Sequence, residues 1–180
     1  MMTTDAQINA KYLSEINRLV LEKDRIKLTS LVKNIKLNPN AAHSRRSSPS
    51  TTGGHTPSLM IDSNWSSSWD EVTKSRLIES LIINIPVMPI IVCEKEYNYH
   101  QVIDGKKRLK TVVDFYSNRL TLTKLEVEPY LNECIYSTLP VKVREQLDRR
   151  SLSLVNCIPM NDDVTETEIE RLIGAVKKRY

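Results

Sequence analysis

A chain of 180 residues that is 40% hydrophobic and 27% charged can bury one domain core with appendages but is too short for two full domains, and its net charge of +4 gives only a mild pull toward acidic partners such as nucleic acid. Cys93, Cys134 and Cys157 are odd in number, widely spaced and without nearby histidines, which argues against a disulfide framework and a zinc site. The most apolar run, 77–92, is broken by Asn84, Pro86 and Pro89, and the N-terminus lacks the order of a signal peptide, so an intracellular, cytoplasmic protein with no membrane contact is expected.

In chain order, Tyr12, Leu13, Ile16, Leu19 and Val20 form one apolar face at helical spacing, and Leu28, Leu31, Val32 and Ile35 form another. This predicts a helical N-terminal arm over 1–38. Residues 39–58, PNAAHSRRSSPSTTGGHTPS, hold no aliphatic side chain larger than alanine and predict a disordered linker or loop. The main domain is expected over 59–180. Ser68 and Glu71 have capping-box spacing, so a helix is expected from about Trp69 to Asn84, ended by Pro86. Residues 89–94 and the alternating segment from Tyr99 predict a β-hairpin. A helix follows with Leu109, Val112, Val113 and Tyr116 on one face, then a short extended piece at Leu120, Leu122 and Leu125. Pro140 opens another helix, Leu152 and Leu154 alternate as a strand, and Thr165 with Glu168 opens a closing helix. The order predicts an α+β domain with a small mixed sheet and surrounding helices.

The segment YHQVIDGKKRLKTVVDFY, residues 99–116, places Asp104 and Gly105 at the junction of a strand and a helix. Gly105 is the only glycine between Gly54 and Gly174, and Lys106, Lys107 and Arg108 add positive charge where the new helix aims its N–H groups. Two readings stand: an anion-binding corner, or a plain turn with Asp as helix cap and Gly for a tight backbone. Trp65 and Trp69 either stack on a nucleobase or pack as lids at a helix start. His100 has no convergent nucleophile, so no triad or dyad is expected.

Three blocks in order carry a family resemblance: WDEVTKSRLIESLIINIPVMPIIVCE, YHQVIDGKKRLKTVVDFYSNRLTL and LNECIYSTLP. From about residue 59 to 160 the chain resembles the N-terminal domain of GmrSD-type modification-dependent restriction proteins, a domain related to the ParB and sulfiredoxin superfamily. The second block resembles the signature V-I-D-G-Q-Q-R-L-T-T-x-x-D-F. The resemblance implies a ParB-like fold whose corner binds phosphates, with Asp104, Gly105, Lys106, Lys107 and Arg108 as the nucleotide-binding residues. It implies a nucleoside triphosphate with Mg²⁺ as ligand and DNA or a nuclease as partner. Arg108 would grip a phosphate through its planar fork, so its loss is expected to abolish binding while leaving the melting temperature nearly unchanged. Asp104 is expected to cap the helix, with the alternatives of holding a metal ion or orienting a water as the catalytic group left open.

The chain departs from the family in two places. Lys106 and Lys107 replace paired glutamines, and Asn64 and Trp65 replace a Gln-Arg pair, so Asn64, Trp65 and Trp69 are the further candidates for nucleic-acid contact. Lysine offers only donors and a mobile charge, which keeps attraction to phosphate and loses amide-specific contacts. No H-N-H nuclease block occurs in these residues. The first expectation is therefore a nucleotide- or nucleic-acid-phosphate-binding module of a restriction or defence system that acts with a separate partner. The alternatives are an active NTPase or nuclease component, and a shortened interaction module that binds through its arm. A sulfiredoxin-like reductase is excluded, since that chemistry needs a cysteine at the corner.

Overall fold

A computed structural model of the chain describes residues 4–7, 19–38, 58–62, 69–96, 99–159, 167, 171 and 174. The elements run β1 (Leu19–Lys27), α1 (Leu28–Asn34), β2 (Ile35–Asn38), β3 (Ser58–Asp62), α2 (Glu71–Ile82), β4 (Ile90–Glu96), β5 (Tyr99–Asp104), α3 (Lys106–Tyr116), α4 (Val141–Asp148) and β6 (Ser151–Pro159). Two single 3-10 turns, Pro129–Leu131 and Tyr136–Thr138, lie between α3 and α4. The fold is α+β, as expected. Its mixed sheet has six strands in the order β1-β6-β4-β5-β3-β2.

The N-terminal arm is the main correction. Where helix was expected, Leu19–Lys27 is a strand that pairs antiparallel with β6 without a break, from Leu19↔Pro159 to Lys27↔Ser151. Ile35–Asn38 is likewise a strand, parallel to β3. The arm thus supplies both edges of the sheet that the rest of the chain fills. Pairing with a partner distant in sequence overrides the local helical periodicity. The run Glu22, Lys23, Asp24 and Arg25 stays exposed, in keeping with a charged edge strand that resists further pairing. Of the second helical face, Leu28, Leu31 and Val32 lie on α1, with Leu28 and Leu31 fully buried, while Ile35 belongs to β2. Tyr12, Leu13 and Ile16, the stretch 39–57, and most of the closing helix lie outside the described residues, although 167, 171 and 174 are helical.

The main core fills one face of the sheet. Ile26, Leu59, Ile90, Val92, Val102, Leu152 and Leu154 from the strands meet Leu28, Leu31, Ile78, Leu109, Phe115 and Leu147 from the four helices. Burial of each such aliphatic or aromatic side chain is worth about 1.5–3 kcal/mol. Alternation along the strands sends Ile91, Cys93, Ile103 and Cys157 to the opposite face as a second, smaller cluster. Cys93 and Cys157 are register partners on neighbouring parallel strands, and all three cysteines are free. Burial first, and then Cys93, push the Cys157 thiol above its ordinary range.

Local chemistry explains the ends of α2. Asp70, one residue before the helix, caps it by accepting from the Thr73 N–H at 2.7 Å, in place of the expected Ser68, which lies outside the described residues. Asn84, at φ 65°, turns the chain out of the helix two residues before Pro86. The predicted extended piece at Leu120, Leu122 and Leu125 forms no strand, yet all three side chains are buried. Leu122 N–H donates to the Cys134 carbonyl and Leu125 N–H to Asn132 Oδ1, and side chains of α2 meet further backbone donors of this stretch. Ser75 accepts from Thr123 N–H at 3.0 Å, and the Glu79 carboxylate accepts from the N–H groups of Glu126, Val127 and Glu128. The far end of α3 is tied to α4 by Asp148, which accepts from the Tyr116 and Tyr136 hydroxyls while those two rings stack at 4.4 Å. Among the described residues no helix is long and apolar enough to cross a membrane.

Glu79 is 5% exposed. Burial opposes its charge, but the three backbone donors from Glu128, Val127 and Glu126 outweigh it and hold the carboxyl below its ordinary value. The stabilisation from a lowered carboxyl is complete above the unfolded value and is lost as pH falls through the folded one. Glu79→Gln should cost about 1.5–3 kcal/mol at neutral pH by urea denaturation. The gap to the wild type should narrow as pH drops below about 4.5.

Candidate functional site

The corner is built by the hairpin of β4 and β5. β5 ends at Asp104, Gly105 takes φ 97°, and α3 starts at Lys106 with Gly105 as its N-cap and no side-chain cap. Two constraints require glycine here. The left-handed backbone disfavours any side chain, and a Cβ would overlap the δ-methyl of Ile90, itself fully buried. The same Cβ would lie 3.1 Å from Arg108 Nη2 and 3.4 Å from Arg108 Nε, so the guanidinium rests against the bare face of the glycine.

Arg108 is committed to the protein itself. Its Nη2 donates to Asp104 Oδ2 at 2.7 Å and to the Pro89 carbonyl at 3.3 Å, and its Nε is buried without an acceptor among the described residues. The two side chains of this ion pair are 13% and 25% exposed. Asp104 holds Arg108, and the N-cap position of α3 expected of Asp104 is taken by Gly105. The expectation that Arg108 could be removed without thermal cost is corrected, because its loss strands a largely buried carboxylate.

Around this pair opens a cleft of about 530 Å³ lined by Trp69, Met88, Ile103, Asp104, Gly105, Lys106, Lys107 and Arg108. Its apolar lining is Trp69, Met88 and Ile103, and its cationic lining is the start of α3. Met88, between two prolines, is 71% exposed. The structure thus brings together Asp104, Gly105, Lys106, Lys107, Arg108 and Trp69, while Asn64 and Trp65 lie outside the described residues. Sequence reasoning missed Met88, Ile103 and the Pro89 carbonyl. The available signal was the I-P-V-M-P-I run, whose methionine has no periodic partner.

The other titratable residues near the motif belong to the framework. Asp114 accepts from Lys110 at 2.9 Å and from Arg119 at 2.9 Å. Glu94 accepts from Asn156 Nδ2 at 3.4 Å and lies 4.0 Å from His100 Nε2. No group of three or more His, Cys, Asp or Glu suited to holding a metal ion occurs among the described residues. Asp104 is the one carboxylate lining the cleft, and Arg108 already occupies it.

A strand, a left-handed glycine and a cationic helix start, with apolar side chains lining the same cleft, define an α+β domain with a candidate site at a strand-to-helix corner. Residues 66–177 match the family described as GmrSD restriction endonuclease, N-terminal domain. The match spans more than half of the chain, and the chain belongs to this family, a module of restriction and defence systems. No curated protein and no solved structure matches it.

Two outcomes follow from the corner. Gly105→Ala should lose about 2–4 kcal/mol in chemical denaturation, combining the left-handed penalty with overpacking against Ile90. Arg108→Ala should lose about 1–3 kcal/mol and lower the melting temperature by several degrees in calorimetry.

Proposed function

We propose that this domain is a nucleotide- or nucleic-acid-phosphate-binding module whose ligand lies in the corner cleft, and that cleavage is supplied by a separate partner. The observation that carries this reading is the pairing, in one cleft, of the apolar wall Trp69, Met88 and Ile103 with Lys106 and Lys107 at the start of α3. A base has a flat apolar face and phosphates carry the charge, so the two walls match the two halves of a nucleotide. Stacking on an aromatic side chain is worth about 1–3 kcal/mol per base. A helix start adds its own attraction for anions.

The Asp104 charge would repel phosphate if it stood alone. Its pairing with Arg108 at 2.7 Å offsets that charge locally. The same pairing bears on the metal. A single carboxylate already held by arginine does not make a protein cage for Mg²⁺, so these residues do not fit a directly held ion. They fit the phosphates of a nucleotide. The reading of Asp104 as a catalytic group loses support for the same reason, and binding is favoured over hydrolysis by this chain.

Isothermal titration with ATP and with pyrophosphate tests the two walls separately. Lys106→Gln with Lys107→Gln should weaken both ligands about tenfold or more with little change in melting temperature. Trp69→Ala should weaken ATP about five- to a hundredfold and leave pyrophosphate almost unaffected. Equal affinities in the wild type and both variants would sink the reading.

A further inference from the structure

A second cavity lies at the foot of the sheet. β4 begins to pair with β6 only at Ile90↔Leu154, so the first residues of β6, Ser151 to Ser153, have β1 on one side and, among the described residues, no strand on the other. The loop from α2 to β4 closes that gap and leaves a cavity of about 210 Å³. Its polar lining is Arg25, Asn84, Arg150, Ser151 and Ser153, and no acidic residue contributes to it. Among the described residues neither Arg25 nor Arg150 takes part in an ion pair.

Arg150 is the less balanced of the two cations. Its Nη2 donates to the Ile82 carbonyl at 3.2 Å, at the C-terminal end of α2, and its Nε is enclosed without an acceptor. A partly buried guanidinium with five donors and, among the described residues, one neutral acceptor is short of negative charge, and the exposed Arg25 lines the same cavity. Serine hydroxyls and the Asn84 amide can donate to the same guest. The volume decides its size. At about 30 Å³ per water the cavity takes about seven waters, which suits one tetrahedral oxyanion with part of its hydration, and it falls below the roughly 300 Å³ at which sites for whole small molecules begin.

We propose that this cavity is a second oxyanion site, separate from the corner cleft, which binds a single phosphate group between Arg25 and Arg150. The two sites lie along one loop. Asn84, Ile85, Pro86 and Val87 line the lower cavity, and Met88 lines the cleft at the corner. The group bound is the same whether a nucleic-acid strand or a small phosphate carries it.

The test uses the full chain and inorganic phosphate at constant ionic strength, followed by the arginine Nε–H resonances in NMR. Phosphate should move the Arg25 and Arg150 signals. Arg25→Glu should weaken the binding read from them about tenfold or more. Because Arg150 also holds the end of α2, Arg150→Lys serves as its variant, keeping the charge and losing the fork; it should weaken phosphate while the protein remains folded. The Lys106→Gln, Lys107→Gln protein should bind phosphate at these arginines within about twofold of wild type, which separates this site from the corner. Unmoved arginine resonances, or equal affinity in Arg25→Glu, would overturn the proposal even if the corner binds ATP. A short DNA duplex identifies the carrier: if the site holds a backbone phosphate, Arg25→Glu reduces the salt slope of binding by about one, and if it holds a small phosphate the slope is unchanged.

Discussion

The guanidinium of Arg108, held between the Asp104 carboxylate and the Pro89 carbonyl over the bare face of Gly105, is the contact on which the corner depends. It joins three pieces of chain: the end of β5, the first turn of α3 and the residue before β4. A strand that turns directly into a helix leaves N–H groups without intrahelical partners and needs a backbone that few residues adopt. Gly105 meets the second need, and Arg108 fixes the resulting geometry by a charge-assisted bond, roughly twice as strong as a neutral one. The cost is an arginine whose Nε has no acceptor among the described residues. Polar strain of this kind collects at functional sites, and here it borders the cleft.

The division of labour within the K-K-R run follows from that contact. Arg108, third in the run, faces inward and builds the corner, while Lys106 and Lys107 bring their charge to the cleft wall. A lysine is a mobile point charge with no preferred plane, suited to phosphate of varied presentation and poorly suited to reading a base edge. Selectivity for the base would then rest with Trp69, Met88 and Ile103, whose contact is shape and stacking.

The centre of the chain was legible in the sequence and its N-terminal part was not. From β4 through α3, the signals are local: alternation in the hairpin, one glycine at the turn, and helical spacing at Leu109, Val112 and Val113. The strands β1 and β2 owe their existence to partners distant in sequence. Leu19–Lys27 faces β6 more than a hundred residues away, and a run of four exposed charges hides its alternation. Likewise no local rule marks segment 120–128 as backbone tied to Ser75 and Glu79. At the corner, the sequence places residues 104–108 together, and the structure adds a bond within them that spacing does not show. The side chains of Asp104 and Arg108, four apart on the turn, bond each other.

The central claim is that one cleft at this corner receives the ligand's base and phosphates together. It is tested most directly by titrating unlabelled ATP into the ¹⁵N-labelled chain without metal and following amide and indole resonances. The account predicts that the largest shifts fall on the backbone of 104–108 and on the Trp69 indole, moving with a single dissociation constant. Shifts confined to other parts of the sheet, or none at the corner at saturating nucleotide, would contradict it.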